Sequence, residues 1–469
     1  MPLPVLTVEQ MRAWEMATWA AGTTEAEVIA RVGKEVAACA LRLTNSGDRI
    51  LVLAGKGHNG DDARAVRKHL VDRTVDLVEV TTPAKDLSAL EKRLAEKTVL
   101  LIDGLFGIGL NRRLSSEWVR LIETINGAGV RVLSVDAPSG LNAETGLPEG
   151  AAVRASITMT VGAPKQGLLA ETAWECVGRL EVTGDVGLVL PCPSHSDLVW
   201  VSAEDFRDFP PARKAASHKG SYGHVAIIAG STGFHGAGVL AARGAQRAQP
   251  GLVTLHVTPG SYAAAGGQLQ AVMVKPGMNS ADFPGTFDAV VIGPGLAGPD
   301  VRASMKAIAH RLWQEAACPV VMDASALAWL EPGATPANAI RVMTPHPGEA
   351  ARLLGWSVAE VQGDRVKALR TLSGKFGHSW VVLKGHQTLV GRSEGEISVN
   401  SSGNPYLAQG GSGDVLAGYI GGLIAQPDLQ QDPGKTIRYA VWQHGAAADR
   451  LQERRKGWVV EELVEELAR

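Results

Sequence analysis

Asn404-Pro405-Tyr406-Leu407-Ala408-Gln409-Gly410-Gly411-Ser412-Gly413-Asp414 runs straight into Val415-Leu416-Ala417-Gly418 and Gly421-Gly422-Leu423-Ile424-Ala425. A run of small residues ends in one carboxylate, and an apolar helix follows. Glycines let a backbone approach an anion closely, and a helix N-terminus offers unpaired N–H groups with a partial positive charge. Asp414 is tolerable there and can accept a proton from a nearby hydroxyl. The plainer reading is a glycine loop capping a packed helix, with Asp414 as its N-cap.

The whole stretch is more specific than Gly-Gly-Ser-Gly alone. It resembles the nucleotide-binding signature of ribokinase-like enzymes. That resemblance implies an anion hole around Gly413 and a base, Asp414, that deprotonates a hydroxyl attacking a phosphate.

The chain around it has 469 residues, enough for two or three domains with their own cores. A formal net charge of -2 argues against a nucleic-acid or anionic-membrane partner. The N-terminus lacks the pattern of a signal peptide, and no apolar run reaches bilayer length. Cys39, Cys176, Cys192 and Cys318 lack metal or redox spacing, so they read as reduced thiols of a cytoplasmic protein.

In the first half, helices from Val8 to about Leu43 precede a buried strand at Arg49–Ala54. Gly55-Lys56-Gly57-His58-Asn59-Gly60-Asp61-Asp62 follows as a loop, then a helix from Ala63 to Leu70. Strands are expected at Val75–Val80, Val99–Ile102, Val130–Val135 and Ile157–Val161. This alternation predicts a doubly wound α/β sheet with ligands beyond the strand carboxyl ends. Asp103-Gly104-Leu105-Phe106-Gly107, Asp136-Ala137-Pro138-Ser139-Gly140 and Ala163-Pro164-Lys165 all fall there. Asn59, Asp103, Asp136 and Ser139 can gather as an oxygen-rich cation site, or each can simply cap a turn.

This series resembles the NAD(P)H-hydrate epimerase domain. The resemblance implies a potassium ion on Asn59, Asp103 and Ser139. It puts a hydrated dinucleotide against His58, Asn59, Gly60, Asp61 and Asp62, against Gly107, Ile108, Gly109, Leu110, Asn111, Arg112 and Arg113, and against Asp136. Asp136 and Lys165 become the proton-handling groups of an epimerisation. His58, Asp61 and Ala63 depart from the family loop, where Asn, Gly and Gly stand. Asp61 adds a negative charge where a pyrophosphate would approach.

The polar, proline-rich run from Pro191 to Asp197 reads as a linker, and Leu198–Val201 as a short strand opening the second unit. The boundaries expected are 1–198 and 199–469. A second set of βα units follows, with strands at His224–Ala229, Leu252–Val257, Ala289–Ile292, Val320–Met322, Val342–Thr344 and Trp380–Leu383. Gly293-Pro294-Gly295, Asp323-Ala324-Ser325, His346-Pro347-Gly348-Glu349 and Lys384-Gly385-His386-Gln387-Thr388 lie at their carboxyl ends. Singly, His346 can bond its own loop and Glu349 can cap the helix at Ala350. Lys384, directly after a buried strand, points to a phosphate contact.

Together with Gly413-Asp414, these motifs resemble the ADP-dependent NAD(P)H-hydrate dehydratase domain, from about Arg213 to Arg450. Lys384, Gly385, His386, Gln387, Thr388 and Gly413 would then hold the adenine nucleotide, with magnesium on its phosphates. Ala237, Gly295, His346 and Asp414 would contact the hydrated substrate. Ala297, Ser325 and Gln409 are mild departures. The closing helices, with His444-Gly445-Ala446-Ala447-Ala448-Asp449, read as packing. The expected protein is a homo-oligomeric repair enzyme for hydrated nicotinamide cofactors, NADHX and NADPHX. A small-molecule kinase with a non-catalytic N-terminal domain and an inactive nucleotide-binding regulator are the competing readings.

Overall fold

The computed structural model describes residues 2–277, 287–336 and 338–467. It divides into two compact units, one from Leu3 to Trp200 and the other from Val201 onward. Both are α/β.

The first unit opens with α1 (Val8–Ala20) and α2 (Glu25–Leu43), each started by a reciprocal threonine cap, Thr7 with Gln10 and Thr24 with Glu27. Next come β1 (Arg49–Ala54), α3 (His58–Val66), β2 (Thr74–Glu79), α4 (Pro83–Leu94) and β3 (Leu100–Gly104). Then follow α5 (Ser116–Gly127), β4 (Arg131–Val135), β5 (Ile157–Thr160) and β6 (Arg179–Val182). The strands pair in parallel in the order β2-β1-β3-β4-β5-β6. Apolar clusters cover both faces, which is why β1 is an almost unbroken apolar run. The order reverses between β1 and β3, so a crevice opens beyond their carboxyl ends.

α3 begins five residues earlier than the sequence suggests. Gly57 turns at φ 95°, and His58 to Asp62 enter the helix directly. The expected loop residues therefore sit on a first helical turn. Asn59 and Asp62, three apart, share one side of it.

Leu198–Val201, expected to open the second unit, pairs antiparallel with Leu3–Pro4. The second unit continues through β7 (His224–Ile228), α6 (His235–Arg247), β8 (Leu252–Val257), β9 (Met273–Pro276), β10 (Ala289–Ile292) and β11 (Val320–Met322). Its later part holds β12 (Arg341–Met343), α7 (Pro347–Leu354), β13 (Trp380–Leu383), β14 (Leu389–Gly391), β15 (Ile397–Asn400), α8 (Ser412–Ile424) and α9 (Pro433–Arg454). Strands run β15-β14-β13-β12-β11-β10-β7-β8-β9, parallel from β13 to β9 and antiparallel across β13-β14-β15. Here the switch point lies between β7 and β10.

α8 is apolar around its circumference, and every residue from Val415 to Ile424 is buried. Its packing against α6 is backbone on backbone. A Cβ added at Gly418 would lie 1.9 Å from the Ala241 carbonyl oxygen, and one at Gly244 2.3 Å from the Val415 oxygen. The doubly wound architecture expected from the alternating pattern is the one found in both units.

Candidate active sites

In the first unit, Asp103 ends β3 with its carboxylate fully buried. Its Oδ2 accepts from Ser134 Oγ (2.9 Å) and Ser139 N (2.9 Å), and its Oδ1 accepts from Ser139 Oγ (2.6 Å) and Leu105 N (3.3 Å). Burial raises its pKa and these bonds pull it back. Asp103 and Ser139 thus lock the β3 and β4 loops together. Asn59 is different: both polar atoms of its amide are buried with no partner. At a strand switch point, a bound ligand or ion would satisfy this amide.

Asp136 follows β4 at φ 63°, a strained angle for a side chain with a Cβ. Its Oδ1 accepts from Lys165 Nζ (2.7 Å), Val161 N (3.1 Å) and Thr160 Oγ1 (3.3 Å). Its Oδ2 looks the other way: a Cβ placed at Gly107 would touch it at 3.4 Å and would meet Asn59 Cγ at 3.3 Å. Asn59, Gly107 and Asp136 therefore converge. Lys165 is fully buried, and it also donates to Thr160 Oγ1 (2.9 Å) and Val161 O (2.8 Å). An ammonium has three hydrogens, and all three have acceptors. Lys165 consequently holds Asp136 in place. The N-terminal segment holds the lysine loop in turn, since Leu6 N donates to Pro164 O and Gln166 N to Leu6 O.

Other acids lean on this point. Burial, reinforced by Asp136, Asp61, Glu15 and Glu25, pushes Asp62 up to about 8. Glu15 of α1 is raised by burial and then by Asp136; nothing in the sequence singled it out. The three loop departures take distinct places. His58 is exposed, with Nε2 2.8 Å from Glu25 Oε1. Asp61 turns to Arg64 at 2.8 Å, and Arg64 also binds Gly55 O and Glu79. Ala63 is buried under Gly104. Among the other expected contacts, Ile108 and Leu110 pack inward, while Asn111, Arg112 and Arg113 are exposed.

In the second unit, the turn before α8 makes Gly411 the N-cap at φ 98° and leaves Asp414 in the first helical turn. The capping reading of Asp414 fails, because Gly411 occupies that position. Burial, then Asp323 and Glu349, lift the Asp414 carboxyl to about 7, although Lys384 pulls the other way. Lys384 Nζ donates to Asp323 Oδ1 (2.9 Å), which also accepts from Thr344 Oγ1 (2.6 Å). Burial opposes the lysine's charge, but Asp323, Glu349 and Asp414 outweigh it and hold its pKa above the ordinary value. A Cβ at Gly413 would sit 3.4 Å from Nζ, so lysine and glycine meet at one point.

His346 caps α7. Its Nδ1 accepts from Gly348 N (3.0 Å) and Glu349 N (3.3 Å), while Glu349 Oε2 accepts from His346 N (2.9 Å). Both local readings of His346 and Glu349 hold, and the ring, with its Nε2 3.5 Å from Glu349 Oε1, stays about half exposed. Burial lowers the pKa of His346. Gly295, at φ 64°, packs against Ala237, whose Cβ would stand 2.8 Å from an added one. The Lys384–Thr388 turn is fixed from beneath by Arg365, which donates to His386 O (2.5 Å), Gln387 O (3.3 Å) and Leu383 O (3.2 Å). Arg365 escaped the sequence reading, which places Asp323 at the sheet edge without a partner or a role. Only Asp323 carried a signal, its place directly after β11.

Among the described residues, no group of three or more His, Cys, Asp or Glu side chains is arranged to hold a metal, and no helix is long and apolar enough to cross a membrane. The cysteines are free.

A family profile described as NAD(P)H-hydrate dehydratase matches residues 225–469, and one for the N-terminus of YjeF-related proteins matches 25–99 and 84–167. The bifunctional NAD(P)H-hydrate repair enzyme of Gloeobacter violaceus is 36% identical over 95% of this chain and 93% of its own. That of Coxiella burnetii is 34% identical over 95% and 94%. A ribokinase-like protein of Enterococcus faecalis superposes with a TM-score of 0.51 at 23% identity, covering 59% of this chain and 95% of that one, a likeness of fold. With two such units in this order along nearly the whole length of its relatives, the chain belongs to the bifunctional NAD(P)H-hydrate repair enzymes.

Proposed function

We propose that residues 199–469 dehydrate the S epimer of hydrated NADH or NADPH at the expense of ADP, and that residues 1–198 interconvert the two epimers. The observation that carries this reading is Asp414, a carboxylate raised to about 7, at the start of a glycine-led helix beside Lys384. Such a group takes a proton at neutral pH more readily than an ordinary aspartate. The ring hydroxyl gives its proton to Asp414, and its oxygen attacks the terminal phosphoryl group of ADP as AMP leaves. The C–O bond then breaks with phosphate departing, and loss of a ring proton restores the double bond. Backbone N–H groups at Gly411 to Gly413 and the Lys384 ammonium face the charge developing on phosphorus. Gly385, His386, Gln387 and Thr388 complete the nucleotide turn. Ala237, Gly295 and His346 border the hydrated substrate. Magnesium supplies charge neutralisation to the nucleotide phosphates when bound.

In the first unit, Asp136 moves the proton through Oδ2, and Lys165 keeps Oδ1 oriented. The dinucleotide lies along the first turn of α3, from His58 to Asp62, and along Gly107 to Arg113. Asn59, with its orphaned amide oxygen, fits a potassium ion shared with Asp103 and Ser139, which would supply positive charge near the pyrophosphate. Free thiols suit a reducing, cytoplasmic compartment, and a homo-oligomer is part of the same reading.

The test is recovery of NADH absorbance from an epimer mixture, with ADP and magnesium in potassium buffer. Complete recovery, faster than in an enzyme-free control, is expected. Recovery of one epimer's share alone would leave only the second unit active, and a stable phosphate ester would indicate a kinase.

A further inference from the structure

The run His444-Gly445-Ala446-Ala447-Ala448-Asp449 on α9 reads from the sequence as packing, yet its polar members do not face apolar neighbours. His444 Nε2 lies 3.0 Å from the carbonyl oxygen of Ser412, two residues before Asp414. A carbonyl only accepts, so Nε2 must carry hydrogen. Burial drives the ring's pKa down to about 4, which leaves it neutral in that tautomer near neutral pH. Five residues further along α9, Asp449 accepts from Gly403 N at its Oδ2 (2.9 Å) and from Asn404 Nδ2 at its Oδ1 (3.1 Å). Between them Gly445 provides clearance: a Cβ there would lie 2.3 Å from Ser402 Oγ and 2.8 Å from Gly403 N. Ser402 Oγ also donates to Trp442 O at 2.6 Å.

These contacts address one problem. The turn from Gly403 to Gly413 contains four glycines and so resists ordering. Its internal bonds, from Ser412 Oγ to Leu407 O and Gln409 O and from Tyr406 N to Asn404 Oδ1, close its middle. They do not fix it against the rest of the unit. α9 does so at both ends, through Asp449 where the turn starts and His444 where it becomes helix. The two residues are buried, at 6% and 8% exposure.

We propose that His444 and Asp449 are positioning residues for the phosphoryl transfer: with Gly445 they form a frame that sets where Gly413 and Asp414 meet the nucleotide. The inference rests on the dehydratase reading above. Wild-type turnover of the S epimer of hydrated NADH with Mg-ADP tests that reading first. Were the wild type inactive, binding of Mg-ADP by calorimetry would still test the frame.

His444→Phe and Asp449→Ala are each expected to lower kcat by roughly 10- to 100-fold, the cost of an ångström-scale misplacement. They should weaken Mg-ADP about fivefold while KM for the hydrated dinucleotide changes by less than about twofold. His444→Gln, which keeps an N–H donor, should recover most of the loss. Gly445→Ala, which removes no polar group, should reproduce the defect through the clash, and it decides the matter if the other variants do not fold. Folded variants with kcat and Mg-ADP affinity within about twofold of wild type overturn the proposal. So does a loss that follows only the thermal midpoint and is not relieved by glutamine.

Discussion

Each unit sets one aspartate and one lysine at the carboxyl edge of a parallel sheet, and the two lysines are used differently. Lys165 bonds to Asp136 itself and has no hydrogen left over. Lys384 bonds to Asp323 and reaches Asp414 only across space, so burial and two neighbouring carboxylates win and Asp414 rises to about 7. The first arrangement fixes a direction, leaving one carboxylate oxygen aimed at Gly107 and Asn59. The second fixes a proton affinity. Similar residues thus do different chemistry, because the choice of the lysine's partner, the proton-handling aspartate itself or a neighbouring one, changes which property is controlled.

Asp414→Asn would break the comparison most severely. Dehydration should fall by about 10³-fold or more, with epimer interconversion untouched. The same variant should unfold at a higher temperature at pH 8. A carboxyl raised from its ordinary value near 4 to about 7 favours the native state in acid, and that contribution is lost as pH rises through 7. An amide suffers no such loss, and calorimetry at pH 5 and pH 8 would show the difference. Lys165→Met comes next. It strands a largely buried carboxylate, which costs about 3–5 kcal/mol, so the first unit should melt earlier and lose epimerase activity while dehydration persists. A variant that kept its epimerase rate would remove Lys165 from the assignment.

The pH profile sharpens the contrast further. For dehydration, kcat/KM should fall about tenfold per unit below pH 7 as Asp414 takes up its proton. In Lys384→Met the bend should move to higher pH, because the lysine holds the aspartate down. The smallest effect is expected at Asp61, which pairs with Arg64 rather than with the crevice. Asp61→Gly should change epimerisation by less than about threefold and stability by about 1 kcal/mol. A large gain in rate would show that its charge reaches the substrate after all.

Central parallel strands were legible to the residue at Arg49–Ala54, Leu252–Val257, Ala289–Ile292, Val320–Met322 and Trp380–Leu383. Burial on both faces writes most of them as near-continuous apolar runs, and Leu252–Val257, with Thr254 and His256 inside it, is still bounded by apolar residues at both ends. Short strands at the margins, Arg179–Val182, Met273–Pro276, Leu389–Gly391 and Ile397–Asn400, lack such a run and went unread. The start of α3 was missed because Gly57 turns the chain without any side-chain cap. Motifs brought Asp136, Lys165, Lys384 and Asp414 into view. Their supports stayed hidden, since Asp323 meets Lys384 across 61 residues and Asp449 meets Asn404 across 45. Partnerships at that distance have no local signature.

The contact between α6 and α8 has its own consequence for how this protein can vary over time. Asp414 is carried on a helix whose seat is defined by Gly418 against Ala241 and Gly244 against Val415, main chain to main chain. There is no side chain there to trim, rotate or repack. A single added methyl at either glycine must push the whole helix outward and take the carboxylate with it. Drift at this seam is therefore all or nothing, and new specificities have room to arise only in the loops around a proton acceptor that stays where it is.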